Sequence, residues 1–151
     1  MPVFPNKVPN LQQIGPIIEV VIYPSVPIYN KLKAEGKQIP SKKVIALIDT
    51  GASGSCINDS IAGELNLIAR DVTTVCTPSG TAQQKIYDLG FSMPSLHPTI
   101  FPILALGANL EAQPYNALIG RDILSNCTLI YNGWDNSYQL GGFKTLMQQG
   151  Q

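Results

Sequence analysis

The sequence predicts an all-β domain with one or two short helices. Apolar runs rich in β-branched residues recur along the chain, and most of them end at proline or glycine. The 13 glycines and 12 prolines among 151 residues fit a fold with many turns and lie below the level typical of disorder. A chain of this length can bury one sizeable core. We therefore expect one domain at residues 16–141, preceded by an N-terminal arm or linker (1–15) and followed by a polar tail (142–151).

Two strands are clear in the first third of the chain. Residues 16–23 (PIIEVVIY) have the composition of a buried strand, and residues 42–50 (KKVIALIDT) are nearly continuous in apolar residues, which is typical of a central strand. The connection between them contains IYNKLKAEGKQ, which is compatible with either a helical turn or a mobile hairpin tip that ends at Gly36.

The best helix candidate is residues 58–67, because Ile61 and Leu65 fall on one face there. After it, two β-prone arms flank the turn PSGTAQ and predict a long hairpin at residues 72–93. Further elements are expected as a strand at TIFPILAL, an apolar strand that ends at Gly120, one helical turn from Arg121, a strand at residues 127–131, and a last turn and strand at WDNSYQL.

Charge and hydropathy exclude several classes of function. Ten Lys and Arg balance ten Asp and Glu, and no basic stripe stands out, so nucleic acid and anionic membranes are poor candidate partners. The N-terminus lacks the charged start and continuous apolar stretch of a secretory signal, and no apolar run approaches the length of a membrane span. We therefore expect a soluble cytoplasmic protein that binds neither nucleic acid nor membrane.

The cysteines point to neither a disulfide scaffold nor a metal site. Cys56, Cys76 and Cys127 cannot all pair within one chain and show no C-x-x-C spacing, so we expect buried free thiols. A thiol nucleophile at Cys56 would need the single histidine, His97, which lies close to prolines in an expected turn. A small buried core residue is therefore the better interpretation of Cys56.

An aspartate closes the second strand, in the stretch VIALIDTGASGSC. Leaving the ionised Asp49 in an apolar setting is costly unless something compensates its charge. A bare Asp-Thr-Gly is usually a plain turn, in which Gly51 adopts unusual dihedrals and Asp49 bonds to nearby amides. The context favours a function, because small residues follow at 52–55 and a second apolar strand that ends in glycine (ALIG) occurs later.

Paired carboxylates would give such an aspartate a chemical role. Two carboxylates about 3 Å apart cannot both ionise, so they share a proton and hold a water between them. One accepts a proton from that water while the other donates to the carbonyl under attack, which hydrolyses an amide without a covalent intermediate. The chain contains one Asp-Thr-Gly, so the pair requires Asp49 of a second copy across a twofold axis.

The sequence resembles the retroviral-type (retropepsin-like) aspartic proteases, and its length is closer to cellular and bacterial relatives. Three pieces match in order, namely ALIDTGAS (46–53), the hairpin at 72–93 as a flap, and NALIGRDIL (116–124). The resemblance implies an all-β, retropepsin-like acid protease barrel with one lobe per chain. It also implies a homodimeric aspartic endopeptidase that cuts a peptide or protein substrate with no cofactor and no metal.

The resemblance assigns roles residue by residue. Asp49 is the expected catalytic residue, the Thr50 hydroxyl is expected to bond across the dimer axis, and Gly51 is expected to contact the bound peptide through its backbone. The remaining support of the active-site loop is expected from Ala52, Gly120 and Arg121, and the substrate-covering flap from Thr77, Pro78, Ser79, Gly80 and Thr81.

Some features depart from the viral pattern or leave alternatives open. Viral enzymes commonly have an acidic residue where Ser53 stands, so we expect Arg121 to find another acid, either Asp122 or a residue across the dimer. A non-catalytic dimerisation or peptide-binding module of the same fold is an alternative function, and removal of MPVFPNKVPN is an alternative requirement for activity. Trp134 is expected to pack, and Tyr87 is a candidate for lining a substrate pocket.

Overall fold

Two β-sheets form the framework of residues 3–142, the part of the chain that the computed structural model describes. The side chains of residues 3–5 and of Thr77 lie outside this description, as does most of the expected polar tail. The strands are β1 (Val3–Lys7), β2 (Ile17–Pro24), β3 (Lys42–Ile48), β4 (Cys56–Asn58), β5 (Ala69–Thr77), β6 (Gly80–Met93), β7 (His97–Ala108), β8 (Ala117–Ile119), β9 (Cys127–Asn132) and β10 (Ser137–Gly142).

Four short helices join these strands, and they are α1 (Leu11–Ile14), α2 (Val26–Ala34), α3 (Asp59–Glu64) and α4 (Arg121–Leu124). The all-β prediction is confirmed, with more helices in the described residues than the one or two expected. No helix within residues 3–142 is long and apolar enough to cross a membrane.

The larger sheet has seven strands in the order β2-β3-β8-β4-β7-β6-β5, and β2 also pairs with β6. The smaller sheet has the order β1-β10-β9. Alternate side chains of β2 are buried, as the period of a strand requires. The main core is an aliphatic cluster contributed by most strands and by α3, and its fully buried members include Ile18, Val20, Ile22, Ile57, Ile61, Leu89 and Ile119.

Local signals account for two of the helices. Of the two options for the segment after β2, the helix is the one observed, since α2 begins just after Ser25 with Pro27 in its first turn. Gly36 follows the end of α2 with a φ of 67°, which glycine adopts without strain. The predicted helix after the Asp-Thr-Gly loop is α3, which buries Ile61 and Ala62.

Two expectations about packing are wrong. Trp134 is 89% exposed, because it lies in the turn between β9 and β10, which projects beyond both strands. Cys76 is exposed, because it lies near the tip of the β5–β6 hairpin, where no other layer covers it. Cys56 and Cys127 are partly buried, as expected of free thiols in or near the core.

The N-terminal arm packs against the C-terminal hairpin. Strand β1 pairs with β10, and Val8 and Leu11 form a second small core with Tyr138. The Tyr138 hydroxyl donates to the Ile17 carbonyl at 2.6 Å and accepts from the Ile17 amide at 3.2 Å and from Asn6 Nδ2 at 2.8 Å. One buried phenol therefore ties the start of β2 to the last strand.

Replacing Tyr138 with Phe tests this tie. The Tyr138→Phe variant keeps the ring but removes a partner from three polar groups, so we expect a loss of about 1–3 kcal/mol in the free energy of unfolding, measured by urea denaturation. The matched control is Tyr131→Phe, because Tyr131 is 49% exposed and its hydroxyl makes one long bond of 3.5 Å to the Leu11 carbonyl. Equal losses in the two variants would contradict the assigned role of Tyr138.

Candidate active site

Two parallel strands end side by side at the candidate site. Strands β3 and β8 are paired in parallel, with Ile48 opposite Ile119. The Asp49 amide then donates to the Ile119 carbonyl at 2.9 Å. Because the carboxyl ends of parallel strands meet at one edge of a sheet, the Asp-Thr-Gly loop lies directly against Gly120.

Asp49 is half-buried, and Thr50 and Gly51 are exposed. Asp49 Oδ1 accepts a hydrogen bond from the Gly51 amide at 2.9 Å, and the Asp49 carbonyl accepts one from Ala52 at 3.2 Å. The carboxylate is therefore held by its own turn and is open on one side in the single chain. The side chain is therefore less buried than its position at the end of an apolar strand suggested.

Gly120 fits a space that no other residue can occupy. A Cβ at Gly120 would lie 2.6 Å from the carbonyl carbon and oxygen of Gly54 and 3.0 Å from the Ala52 oxygen. The next residue, Arg121, donates its amide to the same Ala52 oxygen at 2.8 Å. This close approach of two backbones explains why glycine stands between β8 and α4, and it braces the loop that carries Asp49.

A buried serine and an aspartate lock the two segments together. Ser55 Oγ donates to Asp122 Oδ1 at 2.7 Å and accepts from the Gly120 amide at 3.0 Å, while the Ser55 amide donates to Asp122 Oδ2 at 3.0 Å. Sequence reasoning missed this pair, because it treated Ser55 only as a small residue. The signal available was an aspartate in the first turn of α4, next to the matched Gly-Arg pair.

Within the single chain, Arg121 does not pair with Asp122, one of the two alternatives expected, and an acid across the dimer stays a prediction. Its guanidinium donates from Nη1 to the Thr50 carbonyl at 2.8 Å. Asp122 is instead engaged by Ser55 and by the Ile123 amide, and no acid within residues 3–142 forms an ion pair with Arg121. The physical reason is that both oxygens of the Asp122 carboxylate already accept hydrogen bonds, from Ser55 and from the Ile123 amide, whereas the Thr50 carbonyl takes the guanidinium as its donor.

A cavity of about 510 Å³ opens beside Asp49 and Thr50. Its walls come from α1, from the end of β3, from the loop before β8 and from β9, and they include Gln13, Ile14, Pro16, Leu47, Pro114, Tyr115, Leu129 and Tyr131. The structure thus brings together Asp49, Thr50, Gly51, Ala52, Gly120 and Arg121 in one place.

In the single chain, the tip of the β5–β6 hairpin is not part of the cavity beside Asp49. Pro78, Ser79, Gly80 and Thr81 are exposed at the turn between β5 and β6, and none of them lines the cavity at Asp49. Thr77 pairs with Gly80 through its backbone. Their role as a flap stays a prediction.

The thiols and the histidine do not form a nucleophilic site. Burial, followed by the negative charges of Asp122 and Asp49, raises the pKa of Cys56, and burial raises the pKa of Cys127 to about 12. Both thiols therefore stay protonated near neutral pH and are poor nucleophiles. His97 Nδ1 accepts from the Thr99 amide at 3.1 Å. Across residues 3–142, no group of three or more His, Cys, Asp or Glu side chains is placed to hold a metal ion.

Comparison with known proteins gives similarities at the level of structure. No family model and no curated protein matches the chain. The Simian Foamy Virus (mac) protease is 17% identical with a TM-score of 0.47, over 73% of this chain and 92% of that chain. A retropepsin-like aspartic protease from Rickettsia conorii is 13% identical with a TM-score of 0.42, over 83% of this chain and 91% of that chain. At these identities and scores, any statement about activity has to rest on the site itself.

Removing the Ser55 hydroxyl tests the hydrogen bonds that join the loop after Asp49 to the segment 120–122. Ser55 is 1% exposed, so Ser55→Ala leaves the Gly120 amide and one Asp122 oxygen without this partner, and we expect a loss of about 1–3 kcal/mol in the free energy of unfolding. The control Ser53→Ala, at an exposed position of the same loop, should change stability by less than about 0.5 kcal/mol. Urea unfolding measures both, and an unchanged Ser55→Ala would refute the lock.

Proposed function

We propose that this chain is an aspartic endopeptidase that works as a homodimer, with Asp49 of each copy forming the catalytic pair. The observation that supports it best is the position of the Asp49 carboxylate. It lies on a loop fixed by Gly120 and Arg121, it borders a cavity of about 510 Å³, and it remains open on the side next to the exposed Thr50.

The chemistry follows from two carboxylates at one axis. In the proposed dimer, one Asp49 carries the shared proton and the other is ionised. The ionised carboxylate accepts a proton from a water held between the two, and the protonated one donates to the carbonyl oxygen of the scissile peptide. The Gly51 amide, 2.9 Å from Asp49 Oδ1, holds the carboxylate in orientation throughout.

The surface beside Thr50 supports a second copy as the partner. An open hollow of about 300 Å³ there is lined by Thr50, Arg121, Leu124, Ser125, Cys127 and Leu129. Strand β9 forms the adjacent edge of the smaller sheet, and Ile130 and Tyr131 on it are 46% and 49% exposed. Apolar side chains, and a strand edge that no other strand of residues 3–142 covers, lie next to an incomplete site, and a twofold interface would cover both.

The cavity indicates the kind of substrate. Its walls are mostly apolar or aromatic, with Ile14, Leu47, Pro114, Tyr115 and Leu129 near the carboxylate. Such a lining suits a large apolar side chain beside the bond to be cut, in a peptide bound in an extended conformation.

Replacing the aspartate tests the catalytic assignment. Asp49→Asn keeps an oxygen for the Gly51 amide but removes the ionisable carboxylate, so we expect cleavage of a denatured protein substrate to fall by at least about 100-fold. The urea midpoint and the sedimentation coefficient should not change.

The control for this experiment is Asp88→Asn, at a surface aspartate that lies 3.9 Å from Arg70, and it should cleave at the normal rate. Full activity in Asp49→Asn would refute the assignment. A native protein that dimerises but cleaves no peptide at any pH would instead favour the non-catalytic module.

A charged residue on the β9 edge tests the dimer. Ile130→Lys places like charges near each other in a twofold interface, so we expect the dimer dissociation constant to rise by about tenfold or more in sedimentation velocity. Specific activity should then recover as protein concentration increases. The control is Ile68→Lys, at a 76% exposed isoleucine before β5, which should dimerise normally. A native protein that is monomeric at every concentration and still cleaves would contradict the proposal.

A further inference from the structure

A second cavity, of about 750 Å³, lies between α3, the outer part of β6 and the end of β7. Among the residues that the structure describes, none lines both this cavity and the one beside Asp49. None of its lining residues has a role in the proposed hydrolysis, so the cavity calls for an explanation of its own.

The cavity opens where two paired strands separate. The β6–β7 ladder runs from Met93 opposite His97 to Ile86 opposite Leu106. One step further, the same register would place Lys85 opposite Gly107, but both residues line the cavity instead. Strand β5 covers the other edge of β6 as far as Gly80. The edge of β6 that faces β7 is therefore without a strand partner at residues 82–85, within the described part of the chain.

A free strand edge can accept another strand. The main-chain amides and carbonyls along it are unpaired by secondary structure, and an extended peptide satisfies them by adding to the sheet. Here the neighbouring end of β7 forms the opposite side of the gap, at Gly107 and Ala108. An added segment would thus lie between two backbones.

The absence of a side chain at Gly107 makes room for the Asp59 carboxylate and the Tyr87 ring at the wall of the gap. A Cβ at Gly107 would overlap the Asp59 carboxylate and lie 2.8 Å from Tyr87 Cε2. Asp59 as a residue is exposed, and within residues 3–142 its carboxylate takes part in no ion pair. Asp59 and Tyr87 both line the cavity, and burial, followed by the charge of Asp59, raises the pKa of the Tyr87 phenol.

The remaining lining is rich in carboxamides, with Asn66, Gln83, Gln84 and Asn109 around the gap. Carboxamides donate and accept hydrogen bonds as peptide groups do. A polar cleft of this kind suits a peptide main chain better than it suits an apolar ligand. Its charged residues are Asp59 and Lys85, and Asp59 is the one that would pair with a basic side chain.

We propose that the gap between α3, β6 and the end of β7 is a peptide-binding groove. An extended segment of a partner polypeptide adds as a strand to β6 at residues 82–85 and directs a basic side chain at Asp59. The groove is separate from the proposed catalytic site, and it would hold a polypeptide at a second point.

The test uses the Asp49→Asn protein, so that binding is measured whether or not the native chain is a protease. The probe is the acetylated and amidated pentapeptide Thr-Val-Lys-Val-Thr, titrated into ¹⁵N-labelled protein. We expect shifts in the amide resonances at residues 82–85 and 107–109. The same peptide N-methylated along its backbone should not bind, because it cannot complete the strand pairing.

Two substitutions locate the site. A Cβ at Gly63, on the cavity wall, meets nothing within 4 Å, so the position tolerates a side chain. Gly63→Trp should raise the dissociation constant of the peptide by at least about tenfold, whereas Gly63→Ala should bind the peptide normally. Asp59→Asn should raise the dissociation constant of the Lys-containing peptide about fivefold. It should leave the dissociation constant of Thr-Val-Gln-Val-Thr unchanged. If Gly63→Trp does not fold, Gly63→Gln replaces it.

The proposal is overturned by three results. They are shifts confined to residues 47–50 and 113–115, which would place the peptide in the cavity at Asp49; binding that Gly63→Trp or Gly63→Gln leaves unchanged; and absence of binding at millimolar peptide. None of these outcomes depends on whether the native chain hydrolyses peptides.

Discussion

The candidate site depends on one contact between two backbones, that of Gly120 with the loop at residues 52–54. Strands β3 and β8 run parallel, so their carboxyl ends reach the same edge and the segments that follow must pass each other closely. A side chain at Gly120 would overlap the Gly54 carbonyl. With the glycine in place, Ser55 and Asp122 join the two segments with hydrogen bonds, and these bonds hold the loop that follows Asp49 against the sheet.

The observed surroundings of Asp49 change the reason for assigning it a function. At the end of an apolar strand, Asp49 suggests a buried charge that needs compensation, yet the side chain is only half-buried and its turn already supplies the Gly51 amide. The energetic cost of the charge is therefore a weak argument for function. The stronger argument is the combination of an oriented carboxylate, a cavity at its side and an apolar hollow beside Thr50 that a single chain leaves open.

Sequence patterns predicted the features that short-range physics determines. Runs of β-branched residues predicted most strands, and the apolar face at Ile61 and Leu65 predicted α3. The hydrogen bond between Ser55 and Asp122 joins positions 67 residues apart, and the sequence around either residue does not indicate its partner. Asp122 was a wrong choice of partner for Arg121 for the same reason, since an arginine satisfies a carbonyl as readily as a carboxylate. Exposure of Trp134 follows from how far a turn projects, which composition does not encode.

Strand β9 links the two surfaces that the proposed function needs. Leu129 lines both the cavity beside Asp49 and the hollow beside Thr50, and the Tyr131 hydroxyl bonds to the Leu11 carbonyl in the segment that forms another cavity wall. A second copy that packs into the hollow would therefore fix part of the substrate cavity. Coupling of this kind is reciprocal, so a peptide that fills the cavity should strengthen the dimer by the same factor as the dimer strengthens binding of the peptide.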